Sequence, residues 1–318
     1  MYTIFTFFLS ILMLFGGIHP ATDHPITFKD QDAERMAFVA VSDVHICNTP
    51  YSEAFTSMVF EDVKNSGLKF DAYINCGDLA DNGLKPEYDR LYRVLKDNQD
   101  VIPYPIIALG NHDARYALKE NAARFRSEVE EMLGIDLNGK NYYAYDVNGY
   151  TFIVLGTEQQ ISLQAHFSDE QLAFLDSNLA RATKDGKPAF VVCHQPLEGT
   201  HSTGETWSVG AQSDQVKEIL RKYQNVFFFS GHVHSGFKTN CIEKLADSVW
   251  CLNLPVYGKM QNLNNNPSVM QRGVGYYAEV YDDEVIFTGR DFRKGKSLGI
   301  TYTCELAPAN TESLDAAA

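Results

Sequence analysis

The chain reads as an α/β domain, and three observations carry that reading. From residue 37 onward, short apolar runs alternate with longer helical patterns, the arrangement of sheets covered by helices. Several of those runs end in a short polar motif built from Gly, Asp, Asn and His, and functional groups of open α/β sheets gather beyond the carboxyl ends of strands. No linker or internal repeat divides residues 37–304, so that stretch reads as one domain.

Taken in order, Ala37–Ser42 is a short apolar strand and a helical pattern follows from about Ser52 to Asn65. Phe70–Cys76 is the next strand and Pro86–Asn98 the next helix. Pro105–Leu109 leads into Gly110-Asn111-His112-Asp113, and a charged, Ala-rich helix runs to about Leu133. Tyr142–Val147 and Tyr150–Leu155 flank Asn148-Gly149, a two-residue hairpin signal. Ser168 and Gln171 have the spacing of a capping box and open a helix to Thr183. Pro188–Cys193 and Val226–Ser230 read as buried strands separated by a short helix near Gln212–Tyr223. Val249–Leu254, Val274–Tyr281 and Val285–Gly289 complete the sheet, and residues 305–318 read as a disordered tail.

Forty-one acidic residues against 27 basic ones give a net charge of −14. Such a field repels a long polyanion and argues against a nucleic acid polymer as partner. The apolar run Ile4–Ile18 precedes the first charged residue, Asp23. It suits a signal peptide and is short of the roughly 20 residues of a spanning helix. Residues 1–22 are therefore read as a signal peptide or N-terminal membrane anchor, and the chain as exported: secreted, periplasmic or tethered at the cell surface. The six cysteines form no Cys-x-x-Cys pair. Cys47, Cys76 and Cys193 read as small buried apolar residues, while Cys241 and Cys251 flank a polar turn and are a possible disulfide in an oxidising compartment.

Five of the nine histidines fall in five ordered motifs: Asp43-Val44-His45, Gly77-Asp78, Gly110-Asn111-His112-Asp113, Val192-Cys193-His194-Gln195 and Gly231-His232-Val233-His234. In Asp-x-His, alternate residues leaving a strand point the same way and reach one ion. The glycines before Asp78, Asn111 and His232 allow tight turns and close approach. Imidazole, carboxylate and amide donors suit Mn, Fe, Zn or Ni. Each motif alone is common, but five in order after strands point to a two-metal site and metal-assisted hydrolysis. His19, His24, His166 and His201 stand outside the pattern and read as ordinary core or surface residues.

The motif set D-x-H, G-D, G-N-H-[DE], H and G-H-x-H resembles the calcineurin-like metallophosphoesterases. That resemblance implies two packed mixed sheets with helices outside, a four-layer αββα sandwich. It implies that Asp43, His45 and His234 hold one metal, that Asn111, His194 and His232 hold a second, and that Asp78 bridges them. Two ions about 3.5–4 Å apart clamp a phosphoryl group and ionise a bridging water to hydroxide. By the same resemblance His112 protonates the leaving oxygen, Asp81 of G-D-x-x-D orients or charges His112, and the substrate is a small phosphoester, diester or monoester. Asp113 is read as a helix cap or a loop brace. The first motif is not D-x-G and residue 81 is not Tyr, which separates the chain from purple acid phosphatases. It looks most like compact bacterial-type phosphodiesterases and phosphatases, including the cyclic-nucleotide phosphodiesterase-like group. The competing reading is a non-catalytic, metal-bound scaffold or sensor. Two segments are read as the rim of the site: Leu197–Gly210 with His201 and Trp207, and Tyr257–Gly273 with Lys259 and Arg272. Trp207 is placed either to stack on a base or aryl group or to lie buried under its own loop.

Overall fold

Phenylalanine side chains at alternate strand positions decide how the halves of the chain meet. The computed structural model describes residues 25–309 except 116, 161–162, 235, 238–240 and 259–272. Among these residues twelve strands form two six-stranded sheets. Phe38 of β1 (Met36–Val41) lies edge-on to Phe152 of β5 (Tyr150–Val154), Phe190 of β6 (Ala189–Val192) and Phe229 of β7 (Val226–Ser230), with centroids 5.2–6.0 Å apart. Each edge-to-face pair adds about 0.5–1.5 kcal/mol beyond its buried area. The neighbours Ile153, Val191 and Phe228 point the other way and join a second core cluster. Two-residue alternation thus gives this sheet two buried faces.

The first sheet has the order β12-β11-β10-β1-β2-β3, adding β2 (Ala72–Asn75), β3 (Tyr104–Ile107), β10 (Val274–Val280), β11 (Glu284–Asp291) and β12 (Lys296–Glu305). The second has the order β4-β5-β6-β7-β9-β8, adding β4 (Tyr143–Val147), β8 (Ile242–Ala246) and β9 (Val249–Asn253). β1, β2 and β3 are parallel, as are β5, β6, β7 and β9. Helices cover the outside. On the first sheet α1 (Pro50–Ser66) packs Phe60 on Tyr73, with ring centroids 5.1 Å apart. It is joined by α2 (Lys85–Asp97), the single turn α3 (Asn111–Ala114) and α4 (Leu118–Leu133). On the second, α5 (Asp169–Thr183) and α6 (Ser213–Leu220) bury Leu175, Leu179, Val216 and Leu220 against Ile153, Val191 and Phe228. This is the expected αββα sandwich.

Local signals account for the helix ends. Thr49 caps α1 by accepting from Ser52 N at 3.1 Å, Pro50 occupies the first turn, and Gly67 ends the helix at φ 70°. Ser168 caps α5 as read, accepting from Gln171 N at 3.2 Å. The other half of the expected box is closed differently. Gln171 is fully buried and exchanges two 3.0 Å bonds with the Gly156 backbone, while Glu158 accepts from Ser168 N at 2.6 Å. A loop carboxylate replaces the local glutamine because that glutamine ties the end of β5 to the helix.

Three expectations change. β8 and β12 carry no apolar run because each is an edge strand with mixed burial. The start of that tail is tied down rather than disordered: Leu306 N donates to Asp283 O at 2.8 Å, and Ala307 N donates to Asn225 Oδ1 at 2.8 Å. Residues 310–318 lie outside the described residues. The six cysteines are thiols rather than disulfides. The β8–β9 register sets Ile242 against Leu252 and Glu243 against Cys251, leaving Cys241 beside Asn253 rather than Cys251. Among the described residues no helix is long and apolar enough to cross a membrane, and residues 1–24 lie outside them.

Arg290 on β11 and Asp62 on α1 form a bidentate pair at 2.8 and 2.9 Å, each side chain 1% exposed. Removing one partner strands a buried charge, so Arg290→Met should cost about 3–5 kcal/mol in urea unfolding. The Asp62→Leu/Arg290→Met double variant should recover most of that loss. A single variant within about 1 kcal/mol of the parent would show that the pair is solvated.

Candidate metal centre

The parallel strands of both sheets release their loops at one end of the sandwich. Asp43 and His45 follow β1, Asp78 follows β2, and Asn111 and His112 follow β3. His194 follows β6, and His232 and His234 follow β7. The segment after β9 joins the two sheets there: Ser42 bridges Val256, and Gly258 N donates to Asp43 O at 3.0 Å.

The backbone is forced into uncommon conformations to do this. Asp43, His45, Asp78, His232 and His234 have φ of 54°, 46°, 50°, 69° and 48°, the left-handed region, at a cost of order 1–3 kcal/mol each. Close packing enforces them. A Cβ on Gly110 would lie 2.1 Å from Asp78 N, and one on Gly231 would lie 1.9 Å from Ser42 Oγ. At these two positions glycine serves close approach rather than the turn itself.

All seven expected ligands converge and are buried. In one group His45 Nε2 and His234 Nε2 are 3.0 Å apart, His234 Nε2 is 3.2 Å from Asp43 Oδ1, and His45 Nε2 is 3.6 Å from Asp78 Oδ2. In the other, His194 Nε2 is 3.0 Å from Asn111 Oδ1 and 3.2 Å from Asp78 Oδ1, with His232 alongside. Asp78 belongs to both groups. The donor set fits a pair of cations. Two ring nitrogens face each other at 3.0 Å, and both nitrogens of His232 are buried without a hydrogen-bond partner. An unpaired buried polar atom costs about 1–3 kcal/mol, a penalty that coordination removes.

A hydrogen bond to a carboxylate, rather than nearness to one, sorts the histidines. Burial pushes His45 down to about 4 and His232 down to about 3. Burial also acts on His194, but the charge and hydrogen bond of Asp78, aided by Asp43 and the Cys76 carbonyl, raise it to about 9. His234 is raised against its burial by its bond to Asp43. Burial pushes Asp43 up, yet the His234 bond and nearby imidazole charge hold it at about 2. Asp78 is likewise held well below the usual carboxylate range, against its burial, chiefly by His194.

His112 stands beside the ligands with its ring nitrogens engaged. Nδ1 donates to the Asp81 carbonyl at 2.6 Å, and Nε2 lies 3.0 Å from Arg115 Nη2. Of Asp81, the backbone oxygen meets His112 Nδ1, while the carboxylate lies 3.5 Å from His45 Nδ1 in a group that also includes the His112 ring. A carboxylate behind a metal-binding histidine fixes the ring and its basicity. Asp113 braces two ligand loops, accepting from Gly110 N at 2.8 Å, Leu79 N and Ala80 N at 3.1 Å, and Tyr88 Oη at 2.9 Å.

Sequence reading missed Arg115. Its signal was its place three residues after His112, the spacing of neighbours on a helix face. A cavity of about 300 Å³ lies over the centre, with Arg115 and His112 lining it together with Trp207 and His232. His201, read as a bystander, also lines it. Trp207 is not buried under its loop, being 47% exposed. Lys259 and Arg272 lie outside the described residues.

Two sheets that pool Asp, Asn and His at a common end have a counterpart among known proteins. Residues 36–236 match the model of the calcineurin-like phosphoesterases, and the chain belongs to that family. It is similar to a probable cyclic nucleotide phosphodiesterase of Fibrobacter succinogenes, 30% identical over 52% of this chain and 58% of that protein. The match thus spans little more than half the length of that relative. A probable glycerophosphodiester phosphodiesterase of Arcobacter nitrofigilis is 24% identical over 63% of this chain and 72% of that one. Among solved structures, a dimetal phosphatase from Danio rerio shares the fold, with TM-score 0.61, 16% identity, and coverage of 86% of this chain and 100% of that one.

With its pKa near 9, His194 carries a proton at pH 7 that a cation at Nε2 must displace. Calorimetric titration of metal into chelator-stripped protein at pH 7 should therefore release protons, so the apparent enthalpy should differ between buffers of different ionisation enthalpy. Affinity should rise with pH toward 9. Equal enthalpies in all buffers would contradict a protonated His194 in the metal-free protein.

Proposed function

We propose that this chain hydrolyses small phosphodiesters at a centre holding two divalent or trivalent ions drawn from Mn, Fe, Zn and Ni. The observation that carries the reading is the buried Asp78 carboxylate shared by two complete donor groups, with His112 beside it. Asp43, His45 and His234 would hold one ion, Asn111, His194 and His232 the other, and Asp78 both. Bound there, the ions supply Lewis acidity, withdrawing charge from a phosphoryl oxygen and acidifying water.

The remaining work belongs to the chain. Arg115 presents a guanidinium to a non-bridging phosphoryl oxygen, a stronger acceptor than the imidazole it now faces. His112, fixed through Nδ1, offers Nε2 for passing a proton to the leaving oxygen, once Arg115 has turned to the phosphate and Nε2 has taken up that proton from water. Two cavities support a diester. One of about 300 Å³ reaches His232, and one of about 330 Å³ reaches His45 beside Tyr51 and Phe55. A phosphate between them has room for an organic group on each side. Diesterases among the relatives favour the same substrate class, and the net charge of −14 favours small substrates over polymers. A scaffold role is less well supported, since all seven donors and His112 are present.

Chelator-stripped protein should be inactive and recover with added metal, and bis-p-nitrophenyl phosphate should be turned over faster than p-nitrophenyl phosphate. Asp78→Asn should lower kcat by about 10³-fold or more through loss of metal charge stabilisation, and His112→Ala by about 10²–10⁴-fold. Comparable turnover by Asp78→Asn would overturn the shared-carboxylate centre, and a monoester preference would make the protein a phosphatase.

We also propose export directed by the apolar run Ile4–Ile18. Fractionation of cells expressing the full chain should place it outside the cytosol, and the mass of its N-terminal peptide separates cleavage from tethering. Recovery only from the cytosol would remove this assignment.

A further inference from the structure

We propose that Trp207 is a stacking platform that selects phosphoesters bearing a planar aromatic group. The inference rests on the hydrolase reading above and deepens it to a substrate class. The two tryptophans of the chain contrast sharply. Trp250 is 4% exposed and lies on Phe227 at 4.6 Å with planes 7° apart, whereas Trp207 is 47% exposed. An indole gains by covering its faces, and this one is left open at the cavity over the metal centre. Its ring centroid is 5.4 Å from that of His232, tilted 40°, so it stands one ring away from a metal ligand.

The platform is held from both sides. Trp207 ends the 3₁₀ turn Glu205–Trp207, donating from its backbone N to Gly204 O at 3.1 Å. Gln164 Nε2 donates to Glu205 O at 3.2 Å, and Val209 N donates to Pro196 O at 2.8 Å. The next two residues, Ser208 and Val209, are buried. The backbone is therefore anchored while the side chain is presented. Arg115 and His112 line the same cavity. A phosphate held between the guanidinium and the metal ligands directs one ester group toward the indole. A flat π face covers an indole with little regard to ring substituents, so stacking selects aromatic over alkyl esters without reading a particular base.

The test uses the metal-loaded full chain and its Trp207→Phe and Trp207→Ala variants. Adenosine monophosphate and phenyl phosphate should change the tryptophan emission of the parent, and glycerol 3-phosphate should not. The response should vanish in Trp207→Phe, because the buried Trp250 remains as a constant background. In turnover, Trp207→Ala should raise KM for bis-p-nitrophenyl phosphate on the order of 10- to 100-fold, with kcat nearly unchanged, and leave a glycerophosphodiester unaffected. Trp207→Phe should fall between, which separates stacking from misfolding. A response to adenosine monophosphate alone would narrow the class to nucleobases. Equal effects on aromatic and alkyl substrates, or none on either, would overturn the proposal while leaving the hydrolase reading intact. Emission changes without turnover of any ester would do the reverse.

Discussion

A carboxylate removed from water must be met by donors or cations, and the architecture of the site follows from meeting that demand at Asp78. Its Oδ1 accepts from His112 N at 2.8 Å and lies 3.2 Å from His194, and its Oδ2 faces His45 at 3.6 Å. Those partners come from three other strand ends in two sheets. Neither sheet satisfies the carboxylate alone. The glycine contacts, the left-handed ligand residues and the Asp113 brace all bring these loops within reach of one side chain.

The same requirement explains why chemically identical imidazoles behave differently. His194 and His234 hydrogen-bond a carboxylate and are raised, while His45 and His232 make no such bond, are dominated by burial and are lowered. Without metal, the proton on His194 compensates part of the carboxylate charge, and the lowered pair offers free lone pairs. The centre is thus built to exchange protons for cations rather than to fold around an uncompensated void of charge.

The sequence displayed the candidate ligands because coordination demands particular atoms at strand ends, and strands announce themselves by apolar runs. All seven converge as their spacing implied. Edge strands β8 and β12 were silent because an edge needs no continuous apolar run. Arg115 and the Gln171–Glu158 exchange were silent for another reason. They depend on which loops become neighbours after the sheets dock, which no local pattern encodes. Asp81 shows a third limit: the motif located the residue, but whether its carbonyl or its carboxylate meets His112 is a matter of loop path. Trp207 is a fourth, since burial or exposure of a loop aromatic is decided by the walls around it.

The order in which the donors appear along the chain has a consequence for biogenesis. His45 and His234 come within 3.0 Å although 189 residues separate them, and the same span joins Asp43 to His232 N. A growing chain that ends at β6 holds Asp43, His45, Asp78 and Asn111 but lacks the imidazoles of β7. The second sheet is itself incomplete at that point, because β7 and β9 have still to be added to β6. Each donor group is therefore complete only in a chain that extends past β7, since one lacks His234 and the other His232 before that point.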